Sequence, residues 1–224
     1  MTEVTTTQVG QQLPDFEMET YLPTSQEFGK FSLAEQKKNG RWTVLVFYPA
    51  DFTFVCATEF AALAEQHEAL QKAGCDVLTV STDTKFTHLA WQRHEGELAV
   101  VKYPMAADPT GKVSKLFGVY LADAGLALRG TFLISPEGKL ASSEINQLNI
   151  GRNMEELTRK VQAFIHFSKL PAEACPAQWK KAGDKSLKPS AKLVGNVHQA
   201  MKGRDDRTRP GRRVVARTTT DRRP

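Results

Sequence analysis

The chain has 224 residues, 41% hydrophobic and 25% charged, which suits one well-buried globular domain and leaves little room for a second. No apolar run approaches the length of a membrane span, and the opening residues MTEVTTTQVG lack the basic and apolar regions of a secretory leader, so a cytoplasmic location is expected. The formal charge is +5, yet residues 202–224 carry nine Lys or Arg against three Asp, a net +6, which leaves −1 for residues 1–201; the basicity belongs to a tail and argues against a nucleic-acid-binding body.

Residues 42–48, WTVLVFY, form a short run rich in β-branched and aromatic side chains, the pattern of a buried strand. Pro49 ends it, and the loop ADFTF leads into a helical pattern from about Cys56 to Lys72, with apolar positions at Phe60, Leu63, Ala64 and Leu70. Gly74 stops that helix. CDVLTVST at 75–82 reads as a second buried strand, and 84–93 as a helix followed by polar, irregular sequence. DPTGK at 108–112 is turn chemistry, 113–117 a short helix and LRGTFLI at 128–134 a strand. PEGK at 136–139 makes a hairpin turn into the partner strand LASSEI. From Met154 to Phe167 the spacing of Leu157, Val161, Phe164 and Ile165 predicts a helix, with Asn153 as its N-cap. Alternating strands and helices, then a hairpin and a final helix, predict an α/β fold with a mixed central sheet flanked by helices. Thioredoxin-like architecture fits that order. The expected division is 1–170 for this domain, 171–201 for a C-terminal segment and 202–224 for a charged, disordered tail.

Three cysteines, at 56, 75 and 175, are too few for a secreted disulfide scaffold and form neither a C-x-x-C pair nor zinc-ligand spacing. The five histidines, at 67, 88, 94, 166 and 198, have no H-E-x-x-H spacing, and His67 and His94 fall on predicted helix surfaces; no metal is expected. Cys56 sits where strand, loop and helix meet. Unpaired backbone N–H groups and the helix dipole favour an anion there, and with it the nucleophilic thiolate. Position alone leaves that reading level with an inert, buried cysteine. Cys75 opens a predicted buried strand and reads as core filler.

Residues 47–59, FYPADFTFVCATE, contain Pro-x-x-x-Thr-x-x-Cys at Pro49, Thr53 and Cys56. The chain also carries HLAW at 88–91, KYPMAADPTG at 102–111, RGTF at 129–132, IGR at 150–152, CPAQW at 175–179 and KPSAKLVGNV at 188–197. In combination these words resemble the typical two-cysteine peroxiredoxins over about residues 4–197, and most of all the peroxidase subunit of bacterial alkyl hydroperoxide reductase.

The resemblance implies a thioredoxin-like thiol peroxidase without a cofactor, because sulfur performs the redox chemistry. It makes Cys56 the peroxidatic cysteine, which attacks a hydroperoxide and becomes a sulfenic acid. Thr53 would exchange hydrogen bonds with the thiolate or peroxide, and Pro49 would shape and shield the loop. Arg129 would stabilise the thiolate and the charge developing on the peroxide oxygens; Glu59 and Arg152 would orient it. Without the motif each has a plainer reading, as a turn threonine, a strand-ending proline, solvated arginines and a helix-face glutamate. Trp91 suits a core role as well as a functional one. Cys175, in a loose segment past the last clear helix, would resolve the sulfenic acid from a partner subunit as an intermolecular disulfide.

The partners implied are hydroperoxides, a flavin-containing NADH-linked disulfide reductase or thioredoxin as reductant, and further copies of the chain, as homodimers joined five to a ring. A general thiol–disulfide oxidoreductase is the rival enzyme, and the missing C-x-x-C counts against it. A nucleic-acid-binding tail or a chaperone-like oligomer is the rival outside enzymes. Two features qualify the likeness. Ala57 stands where the family usually has Pro. RHEGELAVVKYPM at 93–105 lacks the Gly-Gly-Leu-Gly insertion of members prone to over-oxidation, and no Tyr-Phe pair follows Cys175, so resistance to over-oxidation is expected.

Overall fold

Residues 7–202 are described by the computed structural model, and the charged residues 203–224 lie outside them. Strands β1 (Glu17–Leu22) and β2 (Glu27–Ser32) lead through α1 (Leu33–Asn39) to β3 (Trp42–Phe47). Then follow α2 (Phe54–Ala73), β4 (Cys75–Ser81), α3 (Lys85–His94), β5 (Met105–Ala107) and α4 (Lys112–Leu116). A small ribbon of β6 (Tyr120–Leu121) and β7 (Leu126–Ala127) precedes the hairpin β8 (Arg129–Ile134) and β9 (Leu140–Asn146). The chain continues through α5 (Met154–Ser168) to the short α6 (Val197–Ala200).

Seven strands form one sheet in the order β2-β1-β5-β4-β3-β8-β9. Its centre, β3, β4 and β5, is parallel, and β1, β2, β8 and β9 pair antiparallel around it. Parallel strands are covered on both faces, so WTVLVF and CDVLTVS are continuous apolar runs. Alternation then sorts their side chains. Val44 and Val46 of β3 join Cys56, Phe60, Trp91, Leu157 and Val161 in one core cluster, under α2 and α5. Leu45 and Phe47 face the other way, onto Leu78, Phe117 and Phe132. Phe60 ties the first cluster together, with its ring against Tyr48, Trp91 and Tyr103; truncating such a side chain to Ala costs about 3–5 kcal/mol.

Helix α2 stops where the sequence says it should. Gly74 takes the left-handed conformation, φ 94°, and its N–H bonds the Leu70 and Gln71 carbonyls. Cys75 can therefore start β4 at once, and it is fully buried as core filler. Gly130 meets a different demand, because a Cβ there would stand 2.6 Å from the Phe132 ring and 2.8 Å from Val119.

Several expectations need correction. The α2 helix begins at Phe54, two residues early, so Cys56 is third in its first turn. The stretch read as irregular after α3 contains a 3-10 turn, Gly96–Leu98, and the central strand β5. His67 is half-buried against the Tyr103 ring instead of lying on a helix surface. The segment after α5 is not loose: Ala174 and Leu187 form an antiparallel bridge, and Trp179 is 1% exposed. The disordered-tail expectation falls outside the described residues. Among the described residues, no helix is long and apolar enough to cross a membrane.

Candidate active site

The loop between β3 and α2 brings the sequence-predicted groups to one end of the sheet. Pro49 is buried where the loop begins, and Phe52 makes the sharp turn with φ 57°. Thr53 is the N-cap residue of α2, but its side chain does not cap the helix. Its hydroxyl donates to the Ala50 carbonyl at 2.8 Å. With that proton engaged, the Thr53 oxygen has only lone pairs left to offer and can serve as a hydrogen-bond acceptor. Cys56 follows one turn later, fully buried, where helix geometry leaves backbone N–H groups without intrahelical partners.

Arg129 reaches Cys56 from the start of β8. Its Nη1 lies 3.2 Å from the sulfur and 2.7 Å from Glu59 Oε2, and its Nε donates to the Leu148 carbonyl at 2.8 Å. Glu59, one turn beyond Cys56 on α2, is shared with Arg152. Arg152 gives it three bonds, from the backbone N at 2.8 Å, Nε at 2.9 Å and Nη2 at 2.8 Å. The remaining Arg152 Nη1 donates to Gly130 O and Thr131 Oγ1. One carboxylate thus fixes two guanidinium groups, all three nearly inaccessible to solvent. Burial alone would raise the Glu59 carboxyl, but the hydrogen bonds and charge of Arg152, with the charge of Arg129, outweigh it and hold the group below its ordinary value.

Sequence reasoning missed a second buried network behind the loop. Tyr48 Oη donates to Asp51 Oδ1 at 2.7 Å, and Asp51 Oδ2 lies 2.8 Å from His88 Nδ1. His88 Nε2 faces the Ala106 carbonyl at 3.1 Å, an acceptor only, so that nitrogen carries hydrogen. On that tautomer the 2.8 Å Nδ1–Oδ2 contact is a hydrogen bond only with a hydrogen on one of the two atoms. Burial pushes the Asp51 carboxyl up while His88 opposes it. The Asp51 backbone N–H donates to Asp83 at 2.8 Å, so the loop is anchored to the end of β4 as well. The words YPAD and HLAW contain all three residues, yet only the tertiary fold joins positions 37 apart. Trp91 lies fully in the core against Tyr48 and Phe60.

The other two cysteines differ sharply. Burial, then the Asp76 charge, pushes the Cys75 thiol up to about 12. Cys175 is not in the buried cluster around Cys56; it is exposed in the C-terminal segment. Ala57 also has a visible consequence: its N–H donates to the Thr53 carbonyl at 3.3 Å. A proline at that position would lack this bond, the first of the helix ladder.

Residues 9–143 match the model of the AhpC/TSA family. A putative peroxiredoxin, YkuU of Bacillus subtilis, is 47% identical over 182 residues, 80% of this chain and 97% of the relative. Alkyl hydroperoxide reductase C of Escherichia coli is 45% identical over 170 residues, 75% of this chain and 90% of the relative. Among solved structures, AhpC of Enterococcus faecalis superposes with a TM-score of 0.71 at 40% identity, covering 76% of this chain and 99% of that one. The reduced two-cysteine peroxiredoxin of Plasmodium vivax gives 0.76 at 33% identity, over 84% of this chain and 98% of that one. The thioredoxin-like expectation and the peroxiredoxin resemblance are both borne out: the chain belongs to the AhpC/TSA family and is a peroxiredoxin of the AhpC type.

Proposed function

We propose that this peroxiredoxin reduces hydrogen peroxide and small organic hydroperoxides through Cys56 and recycles through Cys175. The observation that carries the assignment is the Arg129 guanidinium, 3.2 Å from a fully buried sulfur in the first turn of α2. The Cys56 thiolate attacks one peroxide oxygen; the O–O bond breaks, the sulfur is oxidised to a sulfenic acid, and water or an alcohol leaves. Arg129 supplies positive charge where the leaving oxygen becomes negative. Thr53, its own proton engaged by Ala50, accepts from the peroxide O–H. Pro49 shields the loop, and Glu59 with Arg152 holds Arg129 in place.

In the second half of the cycle the Cys175 thiolate of a partner subunit attacks the sulfenic sulfur. An S–S bond forms, and the S–O bond breaks with loss of hydroxide. Since Cys56 is buried and Cys175 exposed, the first turn of α2 unwinds before they meet. A dithiol donor, either a flavin-containing NADH-linked disulfide reductase or thioredoxin, then reduces the disulfide. The working form is a homodimer, with five dimers to a ring, in the cytoplasm. The outer edge of β9, unpaired within the described residues, and the exposed Phe54 and Phe86 support association of copies.

Peroxide consumption with each reductant, repeated on Cys56→Ser, tests the assignment, and turnover surviving in that variant overturns it. A stoichiometric peroxide pulse should move the protein to dimer size on a non-reducing gel; a monomer-sized oxidised band refutes the intersubunit link.

A further inference from the structure

Cys175 is held on a fixed knuckle. On its N-terminal side Ala174 exchanges two backbone hydrogen bonds with Leu187, at 2.7 and 3.0 Å. On its C-terminal side the Trp179 N–H closes a turn onto the Pro176 carbonyl at 3.2 Å, with Gln178 in the left-handed region at φ 65°. The Trp179 indole is buried against α5, stacked on His166 with centroids 5.5 Å apart and edge-on to Phe167. Arg159 of α5 locks this arrangement. Its Nη1 donates to the Trp179 carbonyl at 2.7 Å, while Nε and Nη2 grip the Glu156 carboxylate at 2.6 and 2.9 Å.

We infer that Arg159 is a positioning residue for the resolving step: by holding the Trp179 carbonyl it pins the turn carrying Cys175 to α5, and it thereby keeps a guanidinium charge within reach of the thiol, so that Cys175 attacks as a thiolate. The inference rests on the two-cysteine reading above. In the step concerned the Cys175 thiolate supplies the electron pair of the new S–S bond, the Cys56 sulfenic sulfur is reduced, and hydroxide leaves. A neutral thiol would first have to lose its proton, so any nearby cation that favours the thiolate raises the fraction ready to attack. The electrostatics agree with the geometry: Arg159 is held protonated chiefly by its hydrogen bonds to Glu156, and negative charge on Cys175 adds to that hold. The facing elements also carry Glu155, Lys180, Lys181 and Lys185, and Lys185 bonds the Lys202 carbonyl. Lys160 pairs with Glu144, Glu173 with Ser186 and Lys188, and Asp184 accepts from the backbone of Lys180 and Lys181. His166 faces the Trp179 ring.

The experiment is the pH profile of Cys175 alkylation by iodoacetamide in full-length Cys56→Ser protein. Cys75, with its thiol pushed up to about 12, stays silent and reports that the core is folded. Arg159→Gln should move the profile to higher pH and slow alkylation at pH 7 at least twofold; a profile coincident with that of the arginine-bearing protein overturns the inference. Arg159→Lys keeps the charge without the planar fork, and should restore the profile toward its original position. A lysine variant that behaves like the glutamine variant overturns the role of charge. Mass spectrometry of the oxidised wild-type protein separates the two readings. Absence of a Cys56–Cys175 disulfide defeats the two-cysteine cycle, whereas its presence with unshifted profiles defeats only the role of Arg159.

Discussion

Replacing Glu59 by Gln keeps the shape of the side chain and removes one charge from the buried Arg129–Glu59–Arg152 cluster. Four donors now point at that carboxylate: one from Arg129 and three from Arg152. An amide offers one oxygen, and its NH2 group faces arginine N–H groups that cannot accept. Removing one partner of a buried ion pair costs about 3–5 kcal/mol, a large share of the roughly 5–15 kcal/mol that holds a domain folded. At about 2–4 °C per kcal/mol for a chain of this size, Tm should fall by about 6–20 °C. The reaction with peroxide suffers as well, because Arg129 Nη1 loses the contact that aims it at Cys56; a misplacement of about 1 Å can cost about 100-fold. The effect has a pH signature. Glu59 is held below its ordinary value in the folded protein, so on acidification the unfolded chain takes up the proton first. The stability it contributes is complete above the ordinary glutamate value of about 4.3 and is lost as pH falls through the lowered folded value. The difference in Tm between wild type and Glu59→Gln should therefore be constant near neutrality and shrink below about pH 4.3. Calorimetry across pH, with single-turnover peroxide kinetics at pH 7, reads both quantities. A variant melting within 2 °C of wild type and reacting at the same rate would refute the reasoning.

Cys175→Ser should consume one equivalent of peroxide per subunit and then stall with a disulfide-reducing donor; sustained turnover in that variant would remove Cys175 from the cycle. In the native protein Cys75 should resist iodoacetamide at pH 8, where a thiol pushed up to about 12 is only about one part in 10^4 thiolate, and should react once denaturant is added; rapid native labelling would contradict its burial. Sulfinic Cys56 should accumulate slowly at modest peroxide, since no visible insertion or Tyr-Phe pair braces the turn, and mass spectrometry during turnover checks this. Ala57→Pro deletes the Ala57 N–H bond to Thr53, worth about 0.5–1.5 kcal/mol, and should speed disulfide formation severalfold; unchanged or slower formation would show that this bond does not restrain the turn.

Much of the sheet could be read from the chain because its central strands are unbroken apolar runs and its hairpin carries the turn word PEGK. The β1–β2 hairpin escaped notice for a physical reason. Its turn, at 23–26, uses Gln26 at φ 57° where a hairpin normally advertises itself with Gly or Asn. β5 is three residues, MAA, without a β-branched side chain, and it is a strand only because β1 and β4 flank it. In the site, Cys56, Thr53 and Arg129 were legible through local words that carry their chemistry. The Tyr48–Asp51–His88 network and the hold of Arg159 on the Cys175 turn were not, because each depends on elements that meet only after folding. The C-terminal segment looked loose for the same reason: CPAQW has no periodicity, and the cavity that Trp179 fills belongs to other residues.

The burial of Cys56 sets durability against throughput. On the proposed cycle every turnover includes a small unfolding event, since a sulfur with no solvent exposure must leave the core before it can be resolved. Conditions that favour compact states act on that event directly. Osmolytes excluded from protein surfaces raise thermal stability, yet here they would lengthen the time the sulfenic acid stays enclosed beside bound peroxide, the interval in which a second oxidation occurs. Mild denaturant would do the reverse. The enzyme is thus open to inactivation by its own substrate in the very media that best preserve its fold.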